Sequence, residues 1–272
     1  MLTCKTLPGL PHLTDPMKPV IAFPFHDPAG TMFSHLQIIL PDLKEHFEHL
    51  YLCPPPSTLQ QAERMRQLSE DDFFTIFRLE ADVRIGERLN YLYTQAVHAS
   101  HPDQPIHLCF LDRLSFALES SHRDQFLHDV DALTVDDLPL IFQRSPEAWA
   151  THPDNYRAIE SFVMKIGEIL FDKSLDYCWC HIVVQARKLC EVMPLVKRPG
   201  MSMVAEMIYH LQADIHTREV DWLAWEDPFI LRRNASEPKH ERERSNEETQ
   251  KRLSYVLPMV EELVKFSRDR GS

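Results

Sequence analysis

"PVIAFPFHDPAG" (residues 19–30) decides the fold. A short apolar run, Pro19 to Phe25, breaks into His26-Asp27-Pro28-Ala29 and then Gly30, one of only six glycines in 272 residues. Four to eight apolar residues bounded by turn formers indicate a strand buried on both faces. The next stretch, residues 33–50, carries Leu36, Ile39, Leu40, Leu43 and Phe47 at helical spacing. A buried strand, a polar turn and an amphipathic helix make the first half of a βαβ unit.

The same alternation continues outward. Strands are expected at 50–53, 106–112, 138–143, 177–184 and 219–225, and helices at 58–69, 82–99, 145–171 and 203–212. Ser145-Pro146-Glu147 is a helix start, with a capping hydroxyl, a proline at the first helical position and an acid in the first turn. The pattern predicts an α/β fold with a mostly parallel central sheet flanked by helices. Residues 1–231 form that domain. Residues 232–244 contain no apolar residue larger than Ala and dense mixed charge, and are expected to be an exposed, mobile loop. Residues 245–272 open with the capping box Ser245…Glu248. They place Leu253, Val256, Leu257, Val260, Leu263 and Val264 on one face, giving a C-terminal amphipathic helix packed on the domain.

Bulk properties exclude several function classes. The net charge of −12 disfavours general binding to nucleic acid or anionic lipid. No apolar run approaches the ~20 residues of a membrane span. The six cysteines show no framework of spacings, and Cys178-Trp179-Cys180 is not the CxxC of a zinc site, so a reducing, cytoplasmic compartment is expected. The chain lacks GxGxxG, GxxxxGK[ST], GxSxG and HExxH, which disfavours Rossmann dinucleotide binding, P-loop hydrolysis, the hydrolase elbow and zincin chemistry.

In open α/β sheets ligands bind beyond the carboxyl ends of the strands. Four expected strands end in polar groups: His26 and Asp27 with Gly30, Asp112-Arg113, Arg144-Ser145, and Trp225-Glu226-Asp227. A flat strand over 219–225 would point Trp222 and Trp225 to opposite faces, so at most one could stack on a sugar.

This set resembles the GT-A fold of nucleotide-sugar glycosyltransferases. The resemblance implies a nucleotide held by the first loop, with His26, Asp27, Gly30, Arg113 and Arg144 as its contacts. It implies Asp112 as the first acid of a DxD motif binding Mg or Mn on the donor diphosphate. Glu226-Asp227 matches the later acidic pair, with Asp227 as base toward the acceptor hydroxyl. Position 114 is Leu, so the second acid of DxD is missing. Arg232, Arg233 and His240 would form a lid over the phosphates. The implied partners are a nucleotide-sugar donor and a small-molecule acceptor. A non-catalytic nucleotide- or sugar-binding protein and a nucleotidyltransferase remain as alternatives on the same fold plan.

Overall fold

The computed structural model describes residues 17–230, Arg232 and residues 236–270. The first half contains β1 (Val20–Phe23), α1 (Thr31–His46), β2 (Leu50–Leu52), α2 (Pro56–Leu59), α3 (Ala62–Ser69), β3 (Phe74–Ile76), α4 (Ile85–Ala99) and β4 (Pro105–Leu108). Then follow α5 (Leu111–Glu119), α6 (Arg123–Asp131), β5 (Leu140–Arg144), α7 (Pro146–Thr151), α8 (Asp154–Phe171) and β6 (His181–Gln185). The last elements are α9 (Ala186–Val192), α10 (Ser202–Leu211), β7 (His216–Val220), α11 (Asp227–Ile230), α12 (Ser236–Arg244) and α13 (Asn246–Arg270). None of the described helices is long and apolar enough to cross a membrane.

The seven strands of the described residues form one sheet in the order β3-β2-β1-β4-β6-β5-β7. β1 lies inside it, parallel to β2 and β4, which is why its run is apolar throughout. The sheet is mostly parallel, as expected, but β6 runs antiparallel to both β4 and β5. Alternate residues of each strand enter two cores. Val20, Ala22, Ile106, Leu108 and Ile182 join one, beneath α4, α10 and α13. Ile21, Phe23, Phe142 and Val183 join the other, beneath α1, α5 and α6.

Several boundaries differ from the sequence pattern. β4 stops at Leu108, so Asp112 and Arg113 sit in the first turn of α5 rather than on a strand end. β7 stops at Val220, and a 3-10 turn over Asp221–Leu223 replaces the rest of the expected strand. Trp222 therefore enters the core, where its indole N–H donates to Asp129 Oδ2 at 2.9 Å. The helix expected over 145–171 breaks into α7 and α8 at His152-Pro153, because the residue before a proline is pushed to extended backbone.

Residues 236–244 are helical, not a loop. Polar contacts substitute for an apolar face there: the Asp154 N–H donates to Glu243 and the Asn155 amide donates to the Arg242 carbonyl, both at 3.0 Å. Helix α13 packs on α8 and α10. Its buried stripe runs Val256, Met259, Leu263 and Phe266, while Leu257 faces outward. Ser145 and Ser245 cap as expected, accepting the N–H groups of Ala148 and Glu248 at 3.0 and 3.1 Å. Cys53, Cys109, Cys178 and Cys180 are free thiols.

Candidate functional site

A cavity of about 390 Å³ opens where β4, β5 and β7 end. Asp112 and Arg113 reach it from α5, Arg144 from the last position of β5, and Glu226 and Asp227 from the start of α11. Because β6 is antiparallel, the residues preceding it lie at this same edge, and they bring Cys178, Trp179 and Cys180 to the wall. Tyr156 and Glu160 of α8 and one side of α13 complete the enclosure.

Arg113 pairs directly with Glu226, and both side chains are largely buried. The same guanidinium faces His152 Nε2 at 3.3 Å and the Ala224 carbonyl at 3.4 Å. Burial pushes the Glu226 carboxyl up to about 8, aided by Asp112 and Asp227 and opposed by Arg113. Burial together with Arg113 and Arg144 holds His152 well below its ordinary value, so it is a neutral neighbour.

Arg144 is committed elsewhere. Its Nε and one terminal nitrogen donate to the two oxygens of Asp176 at 2.9 Å each. The other terminal nitrogen donates to Glu160 at 2.6 Å, and the guanidinium plane lies 3.9 Å over Trp149. Glu160 also pairs with Arg252 at 2.9 Å, and Arg252 stacks on Tyr156. Burial would raise the Glu160 carboxyl, yet Arg144 and Arg252 hold it below the usual range. Arg144 thus braces the cavity floor, with three of its five donors occupied.

Asp227 pairs with Arg242 of α12 at 3.0 Å, and Arg242 also pairs with Glu248 of α13. Glu248 in turn accepts the Tyr156 hydroxyl at 3.0 Å. Arg242, not His240, is the α12 side chain that reaches the cavity. His240 is exposed and faces Glu243 at 3.5 Å. Arg232 is exposed with a φ of 51°, and Arg233 lies outside the described residues.

The first loop is not part of this cavity. His26 is exposed, and Asp27 is buried with its Oδ2 accepting the Phe33 N–H at 2.7 Å. Thr58 Oγ1 accepts the Asp27 N–H at 2.8 Å, and the Gln61 amide donates to the Asp27 carbonyl. Gly30 holds a φ of 79°, the left-handed conformation that favours glycine, and α1 starts at the next residue. Asp27 therefore caps α1, while Pro28 and Ala29 line a separate shallow depression with Arg64.

The donor set fits a divalent cation poorly. Glu226, Asp227, Glu160 and Glu248 each face a guanidinium, and Asp112 makes no ion pair among the described residues. No cluster of three or more His, Cys, Asp or Glu is placed to hold a metal ion among the described residues. Burial raises the Cys180 thiol to about 11 and Cys178 well above its ordinary value, so neither offers a thiolate near neutral pH.

The sequence reading missed Tyr156, Glu160, Arg252 and the pre-β6 segment. Their signal was the polar content of helix faces, Glu160 in α8 and Arg252 in α13, otherwise expected to pack on apolar neighbours. Neither a known protein-family model nor a curated protein sequence matches the chain.

Proposed function

We propose that the protein is a nucleotide-sugar-dependent glycosyltransferase with a GT-A-like sheet. One observation carries this reading: Asp112 and Arg113 of α5, Arg144 at the end of β5, and Glu226 and Asp227 at the start of α11 line one cavity. A mostly parallel sheet with ligand groups beyond its carboxyl ends supports it.

In this reading the acceptor hydroxyl oxygen forms a bond to the anomeric carbon. The bond from that carbon to the diphosphate oxygen breaks, and the electron pair leaves with the nucleoside diphosphate. Asp227, the more exposed of the acidic pair, takes the hydroxyl proton. Arg113 and Arg242 face the charge that develops on the leaving group. Glu226 is neutral below about pH 8, so it can yield Arg113 to a phosphate without leaving a bare buried anion. No step is assigned to a metal ion, because the carboxylates do not fit one. The first loop, His26 to Gly30, lies outside the cavity and has no role toward the nucleotide in this reading.

The arginine contacts that occupy Glu226 and Asp227 favour one competing reading, a binding protein without turnover on the same fold. A thermal-shift and turnover screen separates the two, using UDP, GDP, UDP-glucose and GDP-mannose with and without Mg²⁺ or Mn²⁺. Stabilisation by a nucleotide sugar with release of nucleoside diphosphate supports the transferase. Stabilisation without release supports the binding protein, and no shift with any nucleotide removes both.

A further inference from the structure

The cavity wall is two-faced. On one side Arg113 meets Glu226, while Arg144–Glu160–Arg252 and Asp227–Arg242–Glu248 form ion-paired triads. On the other, Ile85, Phe110, Met201, Val256 and Met259 belong to one contiguous apolar cluster. Helix α13 spans both sides. Its Glu248 and Arg252 join the ionic side, and Val256 and Met259, one and two turns further, join the apolar side. Eleven residues of helix separate Glu248 from Met259, or about 16 Å.

Among the described residues of the wall, five are cationic and five are acidic in type. A ligand that is charged throughout would leave the apolar face wet. A wholly apolar one would have to strip water from the ion pairs without replacing its hydrogen bonds. Three of the apolar residues, Ile85, Phe110 and Met201, are only partly buried, so a ligand can cover them further.

We propose that the cavity takes an amphipathic small molecule: a hydroxyl at the Glu226–Asp227 end and an apolar body against Ile85, Phe110, Met201, Val256 and Met259. The role of this molecule as glycosyl acceptor rests on the transferase reading above. Its binding does not, because the two-faced wall is independent of any nucleotide. An acceptor of this class is a phenol, a sterol-like alcohol or another hydroxylated hydrocarbon, rather than a free sugar.

The test is calorimetric titration of the full chain with 2-naphthol and, separately, with glucose. The parent protein is compared with a doubly substituted variant, Ile85→Gln with Met201→Gln. Both positions are partly exposed, so the substitutions leave the core intact, and the unfolding transition of the variant verifies this. The expected result is one-to-one binding of 2-naphthol that weakens about tenfold in the variant, with glucose binding more weakly than 2-naphthol to the parent. Failure of 2-naphthol to bind, equal affinity in the variant, or tighter binding of glucose overturns the inference. A nucleotide-sugar thermal shift on the same samples keeps the two claims apart. A shift without 2-naphthol binding overturns only the amphipathic ligand, and 2-naphthol binding without a shift overturns only the transferase.

Discussion

Arg144 and Asp176 meet through two parallel hydrogen bonds of 2.9 Å, with both side chains at most 5% exposed. This bidentate pair anchors the segment before β6 to the end of β5. Removing one partner of a buried pair leaves an uncompensated charge, at a cost of about 3–5 kcal/mol. Asp176→Ala is expected to lose stability in that range by urea unfolding at pH 7. A loss below about 1 kcal/mol would show that Glu160 alone suffices to hold Arg144.

Glu226 sets a pH dependence for anion binding. Its carboxyl is raised from the usual 4.5 to about 8, so the folded protein holds that proton across the interval. The contribution to stability is complete below about 4.5 and is lost as pH rises through about 8. Ionised Glu226 competes with a phosphate for Arg113. UDP affinity is expected to fall as pH rises through 8, by at most about tenfold per unit, and Glu226→Gln should flatten that slope. An unchanged slope in the variant assigns the effect to another group.

The buried pair His107 and His181 works in the opposite direction. Their rings meet at 2.9 Å inside a cage that includes Phe126, Phe142 and Trp222. Burial lowers His107 to about 3 and His181 well below its ordinary value, so both are neutral in the folded state. Stability is complete above about pH 6.5 and is lost as pH falls toward the folded values. Each imidazole adds a slope of up to about 1.4 kcal/mol per pH unit. Urea unfolding at pH 7, 6 and 5 should show His107→Leu with a shallower decline than the parent.

Asp27 is expected to matter for α1 and not for nucleotide. Asp27→Ala removes the acceptor of the Phe33 N–H and should cost about 1–2 kcal/mol. Asp27→Asn, which keeps an acceptor oxygen, should be milder. Nucleotide affinity of a folded Asp27→Asn protein should equal that of the parent. A loss of affinity without loss of stability would return the first loop to the binding site.

Strand and helix alternation was legible because buried parallel strands and amphipathic helices write different periods. The exceptions have physical causes. β3 is three residues long at the sheet edge, too short for a period to show. Strand direction leaves no mark in an apolar run, so the reversal of β6 was invisible, and with it the arrival of Cys178 to Cys180 at the cavity. Asp112 and Arg144 were found by residue type and position. What they touch was not readable, because Asp176 and Glu160 are 32 and 16 residues from Arg144. Helix α12 escaped notice because ion pairs rather than an apolar stripe hold it.

One consequence of α13 concerns the order of events. The seven strands of the described residues precede it in the sequence, so the sheet can form before the helix that walls the cavity is in place. A ligand resting on Arg252, Val256 and Met259 touches the element that follows the whole sheet in the chain. Occupancy should then appear as slowed amide hydrogen exchange along α13, while exchange in the central strands stays as it was. Binding is then read on the helix, apart from the sheet.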